Sequence, residues 1–350
     1  MRSLDFSLPT ITALLLVIGL VAVSSAASPF DFHKQVLGVL AGGALWYGTW
    51  KLGKERIYRL APWLYGLSIL LLGATLAVGR VVNGSRSWLA VGPLQFQPIE
   101  IAKLGLILLL AAVMRGGYRG LKSYLLPLAV FLPVLALVIK NDFGGGTVMV
   151  ALFLAMLFVW RMPWWHLALV IAIGAVAFPL AVFPHLAPYQ KARLTIFMDP
   201  LKHPLTTGYQ TLQSMIAIGS GGVSGKGYAK GTQVHDGFVY SQFSDFIFAS
   251  WSEEQGFIGA TLLLLLFGAL FWRMISMANQ CPQLRDQLVI TGILSQLAAQ
   301  VIENVSASMS LLPLTGITLP LISYGLSSLL SILLALAVAY VVYHHRVEET

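Results

Sequence analysis

Residues 257–272 read FIGATLLLLLFGALFW, a run without a single charged residue. With its flanks, a helix here is long enough to cross the hydrocarbon core of a bilayer, about 30 Å thick. Similar runs recur along nearly the whole chain, in which 57% of the 350 residues are hydrophobic and only 10% are charged. Soluble domains carry about 25% charged residues. The sequence therefore predicts an all-α, polytopic integral membrane protein, with residues 1–350 forming a single transmembrane helical domain.

The apolar runs predict about ten transmembrane spans. They lie near residues 10–27, 35–50, 61–79, 98–114, 123–140, 146–160, 166–184, 244–272, 287–305 and 325–343. The first run follows Arg2 and ends in small residues, as a secretory signal peptide does. Because further spans follow at once, we interpret it as the first transmembrane helix instead. A long extracytoplasmic loop, about residues 185–243, separates spans seven and eight.

The basic residues between the spans predict the orientation of the chain. The side richer in basic residues carries Arg2, Lys51, Lys54, Arg56, Arg59, Arg115, Arg119, Lys122, Arg161, Arg273, Arg285 and Arg346, whereas the short loops opposite carry Lys34, Arg80, Arg86 and Lys140. Both termini are therefore expected in the cytoplasm. The formal charge of +8 follows from this topology and gives no reason to expect nucleic acid. The single cysteine, Cys281, excludes an intramolecular disulfide and argues against a cysteine-based metal site.

Two charged residues lie inside the predicted fourth span. Glu100 and Lys103 are spaced i, i+3, which places them on the same face of a helix. A charge within a bilayer is costly unless it is paired or meets water. Two interpretations stay open and are compatible: a structural ion pair that fixes helix packing, and a charged wall of a water-filled cavity.

Two connections between spans contain residues that interrupt helices. Residues 140–146 read KNDFGGG, in which the glycines permit a tight turn and Asp142 is expected to cap the next helix. Residues 311–328 read LLPLTGITLPLISYGLSS, and Pro313 and Pro320 prevent a continuous helix across this apolar segment. Irregular backbone at membrane depth has to be buried in protein or line a cavity. We therefore expect residues 311–328 to line the same cavity as the charged pair.

The long outer loop contains two groups of basic residues. Lys191, Arg193 and Lys202 lie in its first half, where they would hold a phosphate-bearing headgroup or simply attract anionic lipid. Residues 220–233 read SGGVSGKGYAKGTQ, which has the glycine density of an anion-binding loop, with Lys226 supplying charge. It is not a Walker motif, because GxxxxGK followed by Ser or Thr does not occur here.

An acid stands where the long loop meets the eighth span. Asp245 lies between Phe243 and Phe246 at the predicted membrane edge, where desolvation would raise the pKa of the carboxyl towards that of a useful general base. The same position suits a helix N-cap, and the spacing alone does not choose between a base and a cap. Residues 252–255, SEEQ, have the form of a capping box, so we interpret the two glutamates as helix-end charges.

Five segments together carry a resemblance to a known family. They are NGSRSWLAVGPLQFQPIEIAK (83–103), PYQKARLTIFMDP (188–200), GYQTLQSMIAIGSGGVSGKG (208–227), GTQ followed by SDFIFASWSEE (231–254), and LLPLTGITLPLISYGLSSLL (311–330). In sequence, order and number of spans they resemble the SEDS family of bacterial cell-wall proteins, which includes RodA and FtsW. The resemblance runs from about residue 83 to residue 330.

The resemblance implies a peptidoglycan glycosyltransferase that polymerises lipid II on the outer face of the bacterial cytoplasmic (inner) membrane. A class B penicillin-binding protein is the implied partner, which would supply the transpeptidase. By position, Asp245 matches the acid that the family is thought to need for polymerisation, and Glu100 and Lys103 match its polar pair. A short cytoplasmic N-terminus favours the RodA type, and with it a role in cell elongation and shape.

The implied reaction transfers one lipid-linked sugar chain to another, with undecaprenyl diphosphate as the leaving group. Asp245 is the candidate base for the acceptor hydroxyl, and the candidate partners of the diphosphate are Arg86, Lys191, Arg193 and Lys226. A divalent cation, Mg²⁺ or Mn²⁺, could share the neutralisation of charge, although the sequence contains no defined metal motif. A lipid II flippase and a non-catalytic scaffold for the transpeptidase are the alternatives. The outward clustering of polar residues favours the enzyme over the flippase.

Overall fold

The computed structural model describes residues 5–82, 85–91, 94–139, 142–186, 188–197, 200 and 208–346. Its α-helices are α1 (Ser7–Ala26), α2 (Pro29–Val78), α3 (Pro98–Met114), α4 (Leu125–Ile139), α5 (Phe143–Val159), α6 (Trp164–Ala177), α7 (Pro188–Ile196), α8 (Tyr209–Ser220), α9 (Thr232–His235), α10 (Ile247–Gln280), α11 (Leu284–Ser308) and α12 (Leu326–His344). Its strands are β1 (Arg80–Val82), β2 (Ser85–Val91) and β3 (Leu94–Phe96).

The helical membrane fold predicted from the sequence is confirmed. In the described part of the chain, seven helical segments are long and apolar enough to cross a bilayer, and two of them, Leu121–Ile139 and Trp164–His185, extend α4 and α6 by short helical turns. Helix α2 is 50 residues long and contains the predicted second and third spans, which a break at Gly53 separates. The predicted fourth and sixth spans correspond to α3 and α5, which have 17 residues each. Asp142 caps α5 as expected, because its Oδ1 accepts a hydrogen bond of 2.8 Å from the N–H of Gly145.

The connection between the third and fourth spans folds as a small sheet, which the sequence analysis did not predict. The strands β1, β2 and β3 pair antiparallel in that order, with Leu89 opposite Phe96. The sequence contains a signal for this hairpin, since an Asn-Gly dipeptide at 83–84 separates two stretches rich in β-forming residues.

The long outer loop also contains helical structure. Helices α7, α8 and α9 lie within residues 185–243, and α8 packs its buried residues Thr211, Ser214 and Ala217 into the protein. The side chain of Ser214 donates a hydrogen bond of 2.8 Å to the carbonyl of Ser308. Helix α8 is thus packed against the end of α11.

The chain divides into two compact units built from interleaved segments. The first unit comprises Met1–Ala44, Ala192–Arg273 and Gln300–Ile332. Its helix α1 passes very close to the irregular segment after α11, because a Cβ at Gly19 would lie 2.2 Å from the carbonyl oxygen of Leu321. Only a glycine permits that approach.

The second unit comprises Leu45–Lys191, Met274–Ala299 and Leu333–Thr350. Helix α3 is almost wholly buried in it, and Gly105 lets α3 approach α2, since a Cβ there would lie 3.0 Å from Ser68 Oγ. The rings of Phe131 and Phe153 stack with centroids 4.1 Å apart and join α4 to α5. Helix α6 buries only His166, as expected for a helix that faces lipid.

Candidate functional site

Asp245 lies at the end of a non-helical stretch, two residues before α10 begins at Ile247. Its neighbour Phe246 is buried and packs with Ala217, Val239 and Ala249 in a small apolar cluster of the first unit. This cluster fixes the chain on one side of the acid, while the Asp245 side chain itself stays partly exposed. The residue is therefore held beside a packed cluster without being fully buried itself.

The irregular segment after α11 holds the backbone around Asp245 from the other side. Tyr324 donates its N–H to the carbonyl of Phe243 at 2.8 Å, and the Ser323 hydroxyl donates to the carbonyl of Ser244 at 2.7 Å. Residues 309–325 contain no regular helix, as the prolines and glycines predicted. The expectation that this segment lines a cavity stays a prediction, but its contact with the Asp245 stretch is direct.

Asn304 joins the two stretches through one side chain. Its amide nitrogen donates hydrogen bonds of 2.8 Å to the carbonyl of Asp245 and to the carbonyl of Ile317. The side chain is only 2% exposed. Next to it on α11, Glu303 accepts a hydrogen bond of 3.1 Å from the Thr315 hydroxyl. The last turn of α11 thus ties the irregular segment to the stretch that carries the acid.

Arg193 is the cation that the structure brings to the Asp245 carboxyl. At Gly316, whose φ is 77°, a Cβ would lie 3.8 Å from an Arg193 Nη1 and 3.9 Å from Asp245 Oδ2. The two charged groups therefore lie close to the same glycine of the irregular segment, where the positive φ would strain any other residue. Sequence reasoning named Arg193 and Asp245 separately but did not predict that Gly316 lies between them.

Burial raises the pKa of the Asp245 carboxyl above its usual range, because desolvation penalises the charged form. The Arg193 guanidinium and a hydrogen bond with Ser244 act in the opposite direction and only partly offset the burial. The carboxyl therefore binds a proton more readily than an ordinary aspartate does. This is the direction expected for a proton acceptor that has to work near neutral pH.

The geometry does not support a capping role for Asp245. Helix α10 starts at Ile247, and Ala249 and Ser250 direct their N–H groups to the carbonyl of Phe246 at 3.0 and 3.1 Å. Within the described residues, no N–H of the first turn donates to the Asp245 carboxylate. The predicted capping box is wrong as well, because Ser252 lies inside α10 and donates its hydroxyl to the carbonyl of Phe248.

Glu253 is fully buried and is the most heavily hydrogen-bonded acid of this region. Its carboxylate accepts from Lys226 Nζ at 2.6 Å, from the N–H of Gln233 at 2.9 Å and from the N–H of Val234 at 3.2 Å. It is therefore no helix-end charge at the surface. It holds the outer loop against α10.

The glycines of the outer loop have a packing reason. Residues 225 and 256 both have positive φ, and a Cβ at Gly256 would lie 2.3 Å from the backbone nitrogen of Gly225. Backbone hydrogen bonds then run from Lys226 to Glu253 and from Gly227 to Glu254, at 3.0 and 2.9 Å. The glycine-rich stretch thus lies directly on the break in α10 and is joined to it by backbone hydrogen bonds.

Lys226, a predicted diphosphate partner, forms an ion pair within this arrangement. Its Nζ lies 2.6 Å from Glu253 and 2.8 Å from the hydroxyl of Thr232. The side chain keeps 27% of its accessible surface. Among the predicted basic residues of the first unit, the structure thus brings Arg193, and not Lys226, to Asp245.

Glu100 and Lys103 lie in the second unit and contact each other. Lys103 Nζ is 2.8 Å from Glu100 Oε1, and the two residues are 2% and 6% exposed, respectively. The spacing on α3 thus produces a buried ion pair. A charge pair this well enclosed costs much more when one partner is removed than when both are absent.

The other predicted phosphate-binding residues are less well defined. Lys191 lies on α7 and donates its Nζ to the carbonyl of Pro184 at 2.8 Å. Arg86 belongs to β2, but its side chain lies outside the described residues, and Lys202 lies wholly outside them. Within the described residues no cluster of three or more His, Cys, Asp or Glu side chains is positioned to hold a metal ion.

Sequence reasoning missed Asn304 and the structural role of Glu253. The sequence contained no local signal for Asn304. It is one of several polar residues on an amphipathic helix, and it donates a hydrogen bond to a residue 59 positions away. Glu253 did carry a signal, since a charged residue beside a long apolar run has to find partners. The capping-box pattern predicted partners within its own helix, whereas the structure places them on the outer loop.

Comparison with known proteins places these features in a family. A family model for cell cycle proteins of the FtsW, RodA and SpoVE type matches residues 6–348. The chain is 37% identical over 362 residues to the probable peptidoglycan glycosyltransferase FtsW of Thioalkalivibrio sp. (strain K90mix), covering 98% of this chain and 90% of that protein.

Two solved structures share the whole fold. One is a chain of a peptidoglycan synthase complex that coordinates polymerization and crosslinking, with a TM-score of 0.87, 36% identity and complete coverage of both chains. The other is the rod shape determining protein RodA of Thermus thermophilus, with a TM-score of 0.76 and 33% identity over 99% of this chain and 98% of that chain.

Proposed function

Because the chain belongs to the SEDS family of FtsW, RodA and SpoVE proteins, we propose that Asp245 is the general base of a glycosyl transfer. The chain is a peptidoglycan glycosyltransferase that polymerises glycan strands, and it is a multi-pass protein of a bacterial membrane. The observation that supports the role of Asp245 best is its position: a partly exposed carboxyl with a raised pKa, facing Gly316 together with Arg193.

The proposed reaction joins two lipid-linked sugars. The 4-hydroxyl of the lipid II acceptor attacks C1 of the donor, and Asp245 takes the hydroxyl proton as the new O4–C1 bond forms. The bond from C1 to the undecaprenyl diphosphate breaks, and its electron pair leaves with the diphosphate. Attack opposite an α-linked diphosphate gives a β-linkage with inversion.

The developing charge on the diphosphate needs cations. We propose Arg86, Lys191, Arg193 and Lys226 for this task, and Arg193 has the strongest support because it lies beside the acid. Lys226 is paired with Glu253, so part of its positive charge is already neutralised and its contribution would be smaller. A bound Mg²⁺ or Mn²⁺ would supply further neutralisation, with Asp245 or Glu100 as hard oxygen ligands.

Two parts of the proposal concern the pair on α3 and the orientation of the chain. Glu100 and Lys103 are proposed to hold α3 in place, which their burial and mutual contact support, and also to form a charged wall of the substrate cavity. The basic residues between the spans support cytoplasmic termini, with the Asp245 region on the outer face. Protease accessibility of tags at the two ends of the chain in sealed vesicles tests this orientation.

The cellular role is proposed to be elongation and shape. The likeness to RodA of Thermus thermophilus supports it, whereas the likeness to FtsW points to division at comparable identity. Complementation separates the two roles: an elongation enzyme restores rod shape to cells depleted of their own, and a division enzyme restores septation. Restored septation without rod shape would contradict the elongation role.

A class B penicillin-binding protein is the proposed partner, supported by the likeness to a peptidoglycan synthase complex. Its single membrane helix would pack along the eighth or ninth span, α10 or α11, and the small residues Gly259, Ala260, Gly268 and Ala269 of α10 would permit a close approach. At Gly268 a Cβ would meet no atom within 4 Å, so α10 is open there, whereas a Cβ at Gly259 would lie 2.2 Å from Gln255 Cβ. Gly268→Leu should therefore abolish co-purification, whereas Gly174→Leu on the equally open α6 should not. Co-purification that survives Gly268→Leu moves the contact elsewhere.

The central experiment uses purified protein, lipid II and a divalent cation, scored for glycan polymer on a gel. The wild-type chain should make polymer without any other protein. A chain that only carries lipid II across vesicle membranes and makes no polymer would contradict the proposed activity.

A further inference from the structure

The second unit contains a pocket of about 490 Å³ at the break in α2. Its lining residues are Leu52, Gly53, Lys54, Glu55, Arg56, Arg59 and His345. Gly53 has φ 72° and ψ 163°, so one residue turns the chain between the two halves of α2. The proposed reaction has no use for this pocket, and its lining is mainly basic.

The buried charges beside the pocket are matched within the protein. Lys54 Nζ lies 3.0 Å from Asp286 Oδ2, and both residues are buried. The Tyr58 hydroxyl donates to the other carboxylate oxygen of Asp286 at 2.5 Å. Lys54 therefore serves the fold by anchoring the turn of α2 to α11.

Glu55 is the only acidic residue among the lining residues, and it also has a cation nearby. Glu55 interacts electrostatically with Arg285, whose guanidinium lies 3.7 Å above the ring of Tyr58.

Arg56 and Arg59 are the two guanidinium groups of the lining. Both are exposed, and their i, i+3 spacing on α2 places them on one face of the helix at the pocket. Within the described part of the chain, neither forms a hydrogen bond or an ion pair. Two guanidinium groups on a concave surface present several N–H donors in the fork geometry that suits a phosphate.

A group of aromatic residues lies beside the pocket. The Trp50 ring lies 5.4 Å from that of Tyr340, 4.7 Å from that of His344 and 5.7 Å from that of His345, which itself lines the pocket. Trp and Tyr gather where a membrane protein meets the headgroup layer. Leu52, at the same pocket, is 43% exposed and offers an apolar surface beside the cations.

We propose that this pocket binds a phosphate-bearing anion at the headgroup layer, with Arg56 and Arg59 holding the phosphate. The nearest source of such a group is an anionic phospholipid, whose chain would lie along exposed leucines such as Leu52. A soluble phosphate is the other source of the same chemistry. The pocket would then be a lipid-sensing site of the enzyme, distinct from the acid that performs the transfer.

The test titrates the purified full-length protein with short-chain phosphatidylglycerol and, separately, with phosphatidylcholine, followed by native mass spectrometry. Each of Arg56→Gln and Arg59→Gln should weaken phosphatidylglycerol binding about fivefold, as expected for one basic residue near a headgroup. Phosphatidylcholine binding should not change. The matched control is Lys51→Gln with Lys122→Gln, which removes two exposed charges that do not line the pocket. It should leave both titrations unchanged.

A second arm identifies the source of the phosphate. If excess inorganic phosphate fails to displace the bound phosphatidylglycerol, the pocket selects the lipid; if it displaces the lipid, the pocket also takes soluble phosphate, and the site stands in either case. Equal weakening by the pocket and control replacements would reduce the effect to general surface charge and overturn the proposal. Unchanged binding in the pocket variants would overturn it as well, because all of these side chains are exposed and their replacement leaves the fold intact.

Discussion

Asp245 and Glu253 are eight residues apart in sequence and belong to the same compact unit, yet the structure treats them in opposite ways. Glu253 is fully buried and accepts hydrogen bonds from a lysine and two backbone N–H groups. Asp245 is only partly buried as a residue, lies near Gly316 together with Arg193, and has a carboxyl pKa raised by desolvation. The charge of Glu253 is therefore balanced by donors within the fold. The other acid is left able to exchange a proton.

The difference is the one expected between a structural carboxylate and the general base that we propose. A carboxylate whose oxygens all have donors is held in one state and one place, and it stabilises the loops that supply the donors. A general base has to hold its charge weakly enough to accept a proton from substrate. The number and kind of donors around each oxygen therefore distinguish the two roles better than burial does.

The largest effect is expected from Asp245→Asn, which keeps the shape of the side chain and removes proton acceptance. Loss of a general base costs about a hundred- to ten-thousand-fold in rate. Glycan polymer from purified protein and lipid II should fall by that factor, while lipid II binding persists. Near-normal polymerisation by well-folded Asp245→Asn would remove the base from the mechanism.

The same variant should not lose stability. The pKa of Asp245 is higher in the folded than in the unfolded chain, so the folded state binds more protons between the two values. This carboxyl therefore lowers stability as the pH rises through that window and keeps doing so above it. Asp245→Asn should unfold at the same temperature as wild type at low pH and at a higher temperature above the window. A lower unfolding temperature at neutral pH would show that the carboxylate stabilises the fold.

The second largest effect is expected at the ion pair of Glu100 and Lys103, where the charge of another acid is balanced within the fold. Glu100→Gln leaves Lys103 buried without its counter-charge, which typically costs about 3–5 kcal/mol. Replacing both residues by Gln and Met should cost less than the single change, as measured by thermal unfolding in detergent. Full stability and activity of Glu100→Gln alone would contradict a paired role.

Glu253→Gln is expected to lower stability and to spare the chemistry. Losing a charged acceptor of several hydrogen bonds costs about 1.5–3 kcal/mol. The variant should therefore unfold at a lower temperature, yet polymerise at a similar rate per folded molecule. If Glu253→Gln folded as well as wild type but made no polymer, Glu253 would have a catalytic rather than a structural role.

The smallest effect is expected from Asn304→Ala, which removes two hydrogen bonds to backbone carbonyls. Each such bond contributes about 1 kcal/mol, so the change in stability is modest. Because Asn304 positions the Asp245 stretch against residues 311–325, the maximal rate should fall while lipid II binding stays the same. Asn304→Asp, which keeps the size but offers one oxygen in place of the donor, should behave like Asn304→Ala. Wild-type rates in both variants would deny it a positioning role.

The sequence predicted the helices and the acid, but not what surrounds the acid. Apolar runs are long and periodic, so the spans were readable, and the break at 311–328 followed from its prolines and glycines. The contacts of Asp245 come from Gly316, Asn304 and Arg193, which lie 52 to 71 positions away. No local pattern encodes such long-range packing. The capping-box pattern at 252–255 failed for the same reason, because Glu253 finds its partners on the outer loop and not in its own helix.

The most direct test of the account is the dependence of initial polymerisation rate on pH, for wild type and for Arg193→Gln. The wild-type rate should fall as the pH drops through the pKa of Asp245, at a higher pH than an ordinary carboxyl would give. Since the Arg193 charge lowers that pKa, its removal should move the fall to still higher pH, whatever it does to the maximal rate. The residual activity of Asp245→Asn should lack this fall. A wild-type profile that is flat through the acid range, or a fall that Asp245→Asn retains, would contradict Asp245 as the base.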